Sequence, residues 1–230
     1  METLTPTKED YRYEKKYSIN ITDYDRAIQE LKLHPACFSE IFYERRINNI
    51  YLDDLNLSSY FNHLDGYDKR MKARIRWYGD TFNDDIDAKL EFKMKNGKLG
   101  NKEIFPLESF SLDSQSSLKP LVKSILKKSS QEYLKLEYLM NYSPVLINSY
   151  MRRYFLSRCG NFRVTIDTDL SYFKLVSGRI SDPIRDHNLA IIEIKYTNNK
   201  ALVKMKSLIS KSMLKSSQSK YIRALSMIWG

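Results

Sequence analysis

The chain has 230 residues, 42% of them hydrophobic and 29% charged, with 38 Lys and Arg against 28 Asp and Glu and a formal net charge of +10. This is the composition of a folded chain rather than a disordered one; no apolar run is long enough to cross a bilayer, and the polar residues 1–11 lack the pattern of a signal peptide. Two distant cysteines (Cys37, Cys159) and three scattered histidines (His34, His63, His187) argue against a disulfide framework, a zinc site or a His-based catalytic group, and for a reduced, cytoplasmic setting.

Residues 11–19 alternate and predict a strand; residues 22–33 then predict a helix, with Thr22 as N-cap and Tyr24, Ile28 and Leu31 on one face. Strands are expected at 46–52, 72–78 and 87–95, and Asn96-Gly97 has the chemistry of a type I′ hairpin turn that returns the chain through 103–107. From Leu118 to Leu139 the apolar spacing turns helical, with a break near Ser129-Ser130. Further strands are expected at 145–155, 162–170 and 190–196. The chain then ends in helical spacing, first Leu202, Met205, Leu208 and Ile209, then Tyr221, Ile222 and Leu225. No linker or repeat divides the sequence, so one domain over residues 1–230 is expected, of α+β class around an antiparallel sheet.

Residues two apart on a strand share a face. That puts Lys72, Arg74 and Arg76 opposite Ala73, Ile75 and Trp77, and Lys89, Glu91, Lys93 and Lys95 opposite Leu90, Phe92 and Met94. Arg12, Glu14 and Lys16 share a face; Arg163, Thr165 and Asp167 oppose Phe162, Val164 and Ile166; Glu193 and Lys195 oppose Ile192, Ile194 and Tyr196. One polar strand face is ordinarily solvated surface. These five faces are almost wholly ionic, however, and Arg74 beside Arg76 repel unless an anion or carboxylate lies between them. Closing such strands into an antiparallel barrel gathers the charges in a lumen and turns the apolar faces outward, under surrounding helices and a C-terminal helix.

A polyanion is the expected partner. Nucleic acid is disfavoured, because Trp77, Phe92, Phe162 and Tyr196 fall opposite the cations, where bases cannot stack among them. A membrane surface would need a basic amphipathic helix, which Lys200, Lys204, Lys206, Lys211 and Lys215 supply only weakly. Asn96-Gly97-Lys98-Leu99-Gly100 lacks the Gly-Lys-Ser/Thr of a phosphate-cradling loop, so phosphate would be held by side-chain charge.

Eight short motifs stand in order along the chain: Arg12-Tyr-Glu-Lys-Lys-Tyr17, Asn49-Ile-Tyr-Leu-Asp-Asp54, Arg74-Ile-Arg-Trp-Tyr-Gly79, Leu90-Glu-Phe-Lys93, Tyr150-Met-Arg-Arg-Tyr-Phe155, Arg163-Val-Thr-Ile-Asp167, Ile192-Glu-Ile-Lys195 and Ser219-Lys-Tyr221. In this series the chain resembles the triphosphate tunnel superfamily, and within it the vacuolar transporter chaperone (VTC) type of polyphosphate polymerase domain in its short, bacterial-style form. The thiamine-triphosphatase branch opens on Glu-x-Glu-x-Lys, whereas this chain has Arg12-x-Glu14-x-Lys16, a departure that favours the polymerase branch.

The resemblance implies a tunnel in which Lys16, Arg74, Arg76, Lys93, Arg152, Arg163 and Lys220 contact the triphosphate or polyphosphate, with Arg152 rather than Arg153 facing inward. It implies that Glu193 holds Mn²⁺ or Mg²⁺ and that Arg74, Arg76, Lys93 and Glu193 carry the catalysis, while Glu14 and Glu91 assist the metal or orient neighbouring cations. The implied activity is transfer of the γ-phosphoryl group of ATP to a growing polyphosphate chain; hydrolysis of a triphosphate, or non-catalytic polyphosphate binding, are the alternatives in the same tunnel. The implied partners are ATP and inorganic polyphosphate, without nucleic acid. Eukaryotic relatives carry an SPX domain and membrane helices that have no counterpart in these residues, so a membrane partner would be a separate chain.

Overall fold

A computed structural model describes residues 13–97, 99–129, 139–196, 214–215 and 219–229. In chain order these form β1 (Tyr13–Asn20), α1 (Tyr24–Leu33), β2 (Phe38–Asp53), α2 (Ser58–Leu64), β3 (Lys69–Tyr78), β4 (Asn83–Ile86), β5 (Ala88–Asn96), β6 (Leu99–Pro106), β7 (Phe110–Leu112), α3 (Leu118–Ser129), β8 (Ser143–Ser157), β9 (Phe162–Val176), β10 (Arg179–Asp186), β11 (Leu189–Tyr196), β12 (Leu214–Lys215) and α4 (Lys220–Trp229). The expected strands are present, several of them longer than their periodicity suggested. Gly97 stands at φ +59°, the left-handed conformation that the hairpin turn after Asn96 requires. The helical spacing at 202–209, and the part of the 118–139 segment beyond Ser130, lie outside the described residues, as does Arg12.

One local expectation is corrected, and several elements had none. The first helix is entered through a single 3₁₀ turn at Ile21–Asp23 whose cap is Asn20, not Thr22: the Asn20 side chain accepts from the Thr22 N–H at 3.0 Å. Strands β4, β7 and β10 and helix α2 had no sequence expectation. The seven residues of α2 are too few to show a period; its start is set by Asp53 and Asp54, whose carboxylates accept from the N–H groups of Ser58, Ser59 and Tyr60. Strand β10 contains Pro183 and, among the described strands, pairs with β9 alone, the edge position in which a strand tolerates proline.

Ten strands form one antiparallel sheet in the order β12-β1-β11-β9-β8-β2-β3-β5-β6, with β10 added to β9; β4 and β7 make a separate ribbon. The closed barrel expected from the sequence is not found among the described residues. The outer edge of β1 is taken by β12, so β6 has no partner to close against. Side chains bridge the gap that backbone pairing leaves: Lys93 on β5 reaches Glu14 on β1, 3.3 Å from Nζ to Oε2. The sheet therefore curls until its two ends face one another across a lumen.

Outside the curl the apolar faces are covered as expected. Helix α3 sets Leu118, Val122, Ile125 and Leu126 against Ile75, Trp77 and Leu90 of β3 and β5, while α1 sets Ala27, Ile28 and Leu31 against Val164, Ile166, Ile192 and Ile194 of β9 and β11. A third cluster packs Tyr221, Ile222 and Leu225 of α4 with Tyr51, Leu146, Leu170 and Ile191, which brings Ser219 and Lys220 to the lumen. Burying side chains of this size contributes about 1.5–3 kcal/mol each, which sets the strand faces and so decides which residues turn inward.

Candidate functional site

The inward faces enclose a cavity of about 790 Å³. Lys16, Arg74, Arg76, Lys93, Arg152, Arg163, Glu193 and Lys220, the eight residues singled out in the sequence, all line it. Arg153 points outward, where its guanidinium holds Glu40 at 2.8 Å and the Tyr24 hydroxyl at 3.2 Å. The four aromatics placed opposite the cations, Trp77, Phe92, Phe162 and Tyr196, are buried in the outer clusters.

One wall is built by β3, β5 and β6. Cross-strand register puts Lys72 beside Lys93 and Lys93 beside Lys102, three ammonium groups in a row, and Arg74 beside Glu91. Glu91 is only 4% exposed and is the carboxylate between the two arginines: its Oε2 accepts from Arg74 Nε and Nη2 at 2.8 and 2.6 Å and lies 3.6 Å from Arg76, while Oε1 takes Lys102 at 2.5 Å. Burial opposes the charge on Glu91, but Arg74, Arg76 and Lys102 outweigh it and hold the carboxyl down to about 2. Both oxygens of Glu91 are thus engaged by cations. Among the described residues Lys72 has only the Ser219 hydroxyl as hydrogen-bond partner, at 2.8 Å. Burial, with Lys16, Arg70 and Lys93 nearby, pushes its ammonium down to about 6.

The opposite wall, from β1, β11, β9 and β8, mixes signs. Glu14 pairs with Lys16 at 3.0 Å and Glu193 with Lys195 at 2.8 Å. Deeper in, the fully buried Asp167 takes both Arg152, through a bidentate contact, and Lys220. Burial opposes ionisation of Glu193, but Lys195, Lys16, Arg152 and Lys93 carry its pKa well below the usual carboxylate range. Lys220 enters the lumen because α4 is pinned: the Tyr221 hydroxyl donates to Asp53 at 2.6 Å and its ring stacks on Tyr51 at 4.9 Å.

Glu14 and Glu193 are the carboxylates that line the cavity, and among the described residues no cluster of three or more His, Cys, Asp or Glu exists. Two hard oxygen donors beside an anion tunnel fit Mg²⁺ or Mn²⁺, ions that complete their shells with phosphate oxygens and water. Sequence reasoning did not put Lys102, Tyr51, Tyr150 and Ser219 in the lining, and it placed Lys72 on the charged face without a role. Lys102 escaped because it lies on the return arm of a hairpin whose lumen face, Gly100, Lys102 and Ile104, is mostly uncharged. Tyr51 and Tyr150 stand in two of the motifs without a role, yet Tyr150 lies under Arg152 and Lys220, 5.2 and 4.6 Å from its centroid, and accepts from Arg76 at 3.3 Å. Burial would raise its phenol, but Arg152, Arg76 and Lys220 bring it down to about 8.

A curled antiparallel sheet around a cationic lumen defines the class: a triphosphate-tunnel fold. The same fold is seen in a candidate adenylyl cyclase from Hippeastrum described as having a dominant triphosphatase activity, at a TM-score of 0.53 with 12% identity over 94% of this chain and 96% of that one. Two further solved structures are similar in outline, a candidate adenylate cyclase from Vibrio parahaemolyticus (TM-score 0.49, 13% identity, 93% of this chain and 98% of that one) and a protein from Pyrococcus horikoshii (0.47, 13%, 93% and 96%). No curated protein sequence matches significantly. The VTC domain matches residues 11–228, and the chain belongs to that family. Among the described residues no helix is long and apolar enough to cross a membrane.

Proposed function

We propose that this chain is a metal-dependent polyphosphate polymerase, moving the γ-phosphoryl group of ATP onto the end of a polyphosphate chain held in the lumen. The observation that carries this reading is the make-up of the cavity wall: ten Lys and Arg side chains line it against two carboxylates. Such a surplus suits a ligand with a charge on every unit of its length.

In this reading Arg74 and Arg76, steadied by Glu91, spread over the nonbridging oxygens of the reacting phosphates, and Lys93 neutralises charge on the facing side. Arg152 and Arg163 clamp further phosphates, and Lys16 and Lys220 hold the chain at the wall behind. A terminal oxygen of the acceptor chain attacks the γ-phosphorus, the bond from that phosphorus to the β–γ bridging oxygen breaks, and ADP leaves. The acceptor oxygen is already anionic, so no protein base has to take a proton, and positioning with charge neutralisation supplies the catalysis. A divalent ion held by Glu193, with Glu14 beside it, would neutralise phosphate charge on the otherwise carboxylate-bearing wall.

Incubation with ATP and Mn²⁺ followed by gel separation tests the assignment. A ladder of phosphate chains is the expected product. Orthophosphate alone would make the protein a hydrolase using the same tunnel, and unchanged ATP would leave a binding module.

A further inference from the structure

Next along β3 and β8 from the lumen residues Arg76 and Arg152 stands a cluster that the phosphate reading does not use. Arg45 is surrounded by four aromatic rings, its guanidinium carbon 4.7 Å from the centroid of Phe42, 5.7 Å from Tyr43, 4.8 Å from Tyr78 and 4.8 Å from Tyr154. A β-bulge builds it. Phe42 faces Tyr154 and Arg45 faces Arg152, three residues on β2 against two on β8, so Phe42 and Arg45 reach one face although their spacing is odd. That face is the lumen side: Tyr78 follows Arg76 by two on β3, and Tyr154 follows Arg152 by two on β8.

Two features mark the collar as more than packing. Phe42, Tyr43 and Tyr78 are exposed, Tyr43 to 78%, so stacking surface is left open to solvent. Arg45 Nε and the Tyr154 hydroxyl are buried and have no hydrogen-bond partner among the described residues, a condition that costs stability unless a ligand relieves it. The collar also adjoins the cations directly, since Arg152 lies between the rings of Tyr150 and Tyr154, at 5.2 and 6.0 Å. A phosphate chain held by Arg76 and Arg152 would therefore carry whatever is attached to its outer end into the aromatic cluster.

We propose that the collar formed by Phe42, Tyr43, Arg45, Tyr78 and Tyr154 is the site for the base of a nucleoside triphosphate. This deepens the reading of the lumen as a phosphate-chain site and rests on it. The collar separates the two ligands that the lumen alone cannot tell apart, a nucleoside triphosphate, which has a ring to stack, and an inorganic chain, which has none. Stacking uses the flat face that every base shares, so ATP and GTP are expected to bind alike.

The test is calorimetric titration without divalent metal, with ATP and with inorganic tripolyphosphate, on the unaltered chain and on Tyr43→Ala and Tyr78→Ala. Both positions are surface-exposed, and unchanged melting temperatures establish that the variants fold. Each variant is expected to lose about tenfold in ATP affinity, the scale of one stacked base, and to keep its tripolyphosphate affinity. Unchanged ATP affinity in both variants, or equal losses for both ligands, overturns the base site while leaving the phosphate reading standing. If the unaltered chain binds neither anion, the phosphate reading fails and the base site falls with it.

Discussion

The two walls of the lumen are made from the same residue types in different proportions. On the β3–β5–β6 wall stand Lys72, Arg74, Arg76, Lys93 and Lys102 with one carboxylate, Glu91, which holds Arg74, Arg76 and Lys102 while Lys93 reaches across to Glu14. On the β1–β11–β9–β8 wall, Lys16, Lys195, Arg152 and Arg163 alternate with Glu14, Glu193 and Asp167, and Lys220 from α4 joins Asp167. The first wall has charge left over for a ligand. The second has already spent much of its charge on itself, and the same pairs that neutralise it also fix its geometry. Stability and binding should therefore separate between the walls, and substitutions can show whether they do.

The largest expected effect falls on the balanced wall. Asp167→Ala leaves Arg152 and Lys220 buried side by side without their counter-ion, and breaking a buried ionic cluster from one side costs about 3–5 kcal/mol. Urea denaturation should read that loss in the midpoint. The control on the same wall is Glu14→Ala, whose carboxylate is partly solvated and should cost less than about 1 kcal/mol. Equal effects from the two would remove Asp167 as the keystone of that wall.

On the surplus wall the expected loss is in turnover. Arg76→Ala should lower phosphoryl transfer by about a hundredfold or more, the scale of one donor aimed at developing charge, and should cost about 1–3 kcal/mol, because it strips a donor from the buried Asn49 Oδ1 at 3.0 Å and from the Tyr150 hydroxyl at 3.3 Å. Arg74→Ala should lose as much activity and also about 1–3 kcal/mol, since it removes the two shortest bonds to the Arg74 side of a buried carboxylate. Two variants with near-normal transfer would take this strand out of the reaction.

Much of this was legible in the sequence because strand alternation is strict. Wherever a strand runs without a bulge, as in residues 72–78 and 190–196, the parity of the residue number gave the correct face, and the lumen cations followed. Parity fails at the bulges. Phe42 and Arg45 differ by an odd number, so no alternation rule puts both on the lumen side. Barrel closure was also beyond the reach of pattern, since it depends on β12 occupying the β1 edge, a pairing of two residues that carries no periodic signal. The carboxylate anticipated between Arg74 and Arg76 was visible as a need, but its identity as Glu91 follows only from the β3–β5 register.

Glu193 tests whether the balanced wall does more than balance itself. As a salt-bridge partner it would hold Lys195, 2.8 Å away, and no other described residue. Glu193→Gln keeps the shape and removes the charge. With a metal role, transfer in Mn²⁺ should fall by roughly tenfold or more while metal-free ATP binding holds or tightens, because a like charge has left the lumen. Lower stability and weaker binding with an unaltered Mn²⁺ dependence would leave Glu193 a structural partner only.

The smallest effect, and the most selective for the surplus wall, is a change in proton balance at Lys72. With Ser219 as its hydrogen-bond partner and Lys93 beside it in register, its ammonium is pushed down to about 6, first by burial and then by Lys16, Arg70 and Lys93. The unfolded chain keeps this proton to far higher pH, so between about 6 and the ordinary lysine value the unfolded state binds more protons and Lys72 makes stability rise with pH. Ligand binding has the opposite sense. A phosphate chain beside Lys72 favours the ammonium and raises its pKa, so at pH 7.5 binding should draw in a fraction of a proton, and affinity should weaken as pH climbs above about 6. Calorimetry with tripolyphosphate in two buffers of different ionisation heat reads that uptake directly, and Lys72→Met separates it from protons taken or lost by the ligand itself. Lower uptake and a flatter pH dependence in the variant are expected. Identical proton uptake in the two proteins would show that Lys72 does not change charge when the lumen fills, and that the surplus on this wall is present before any phosphate arrives.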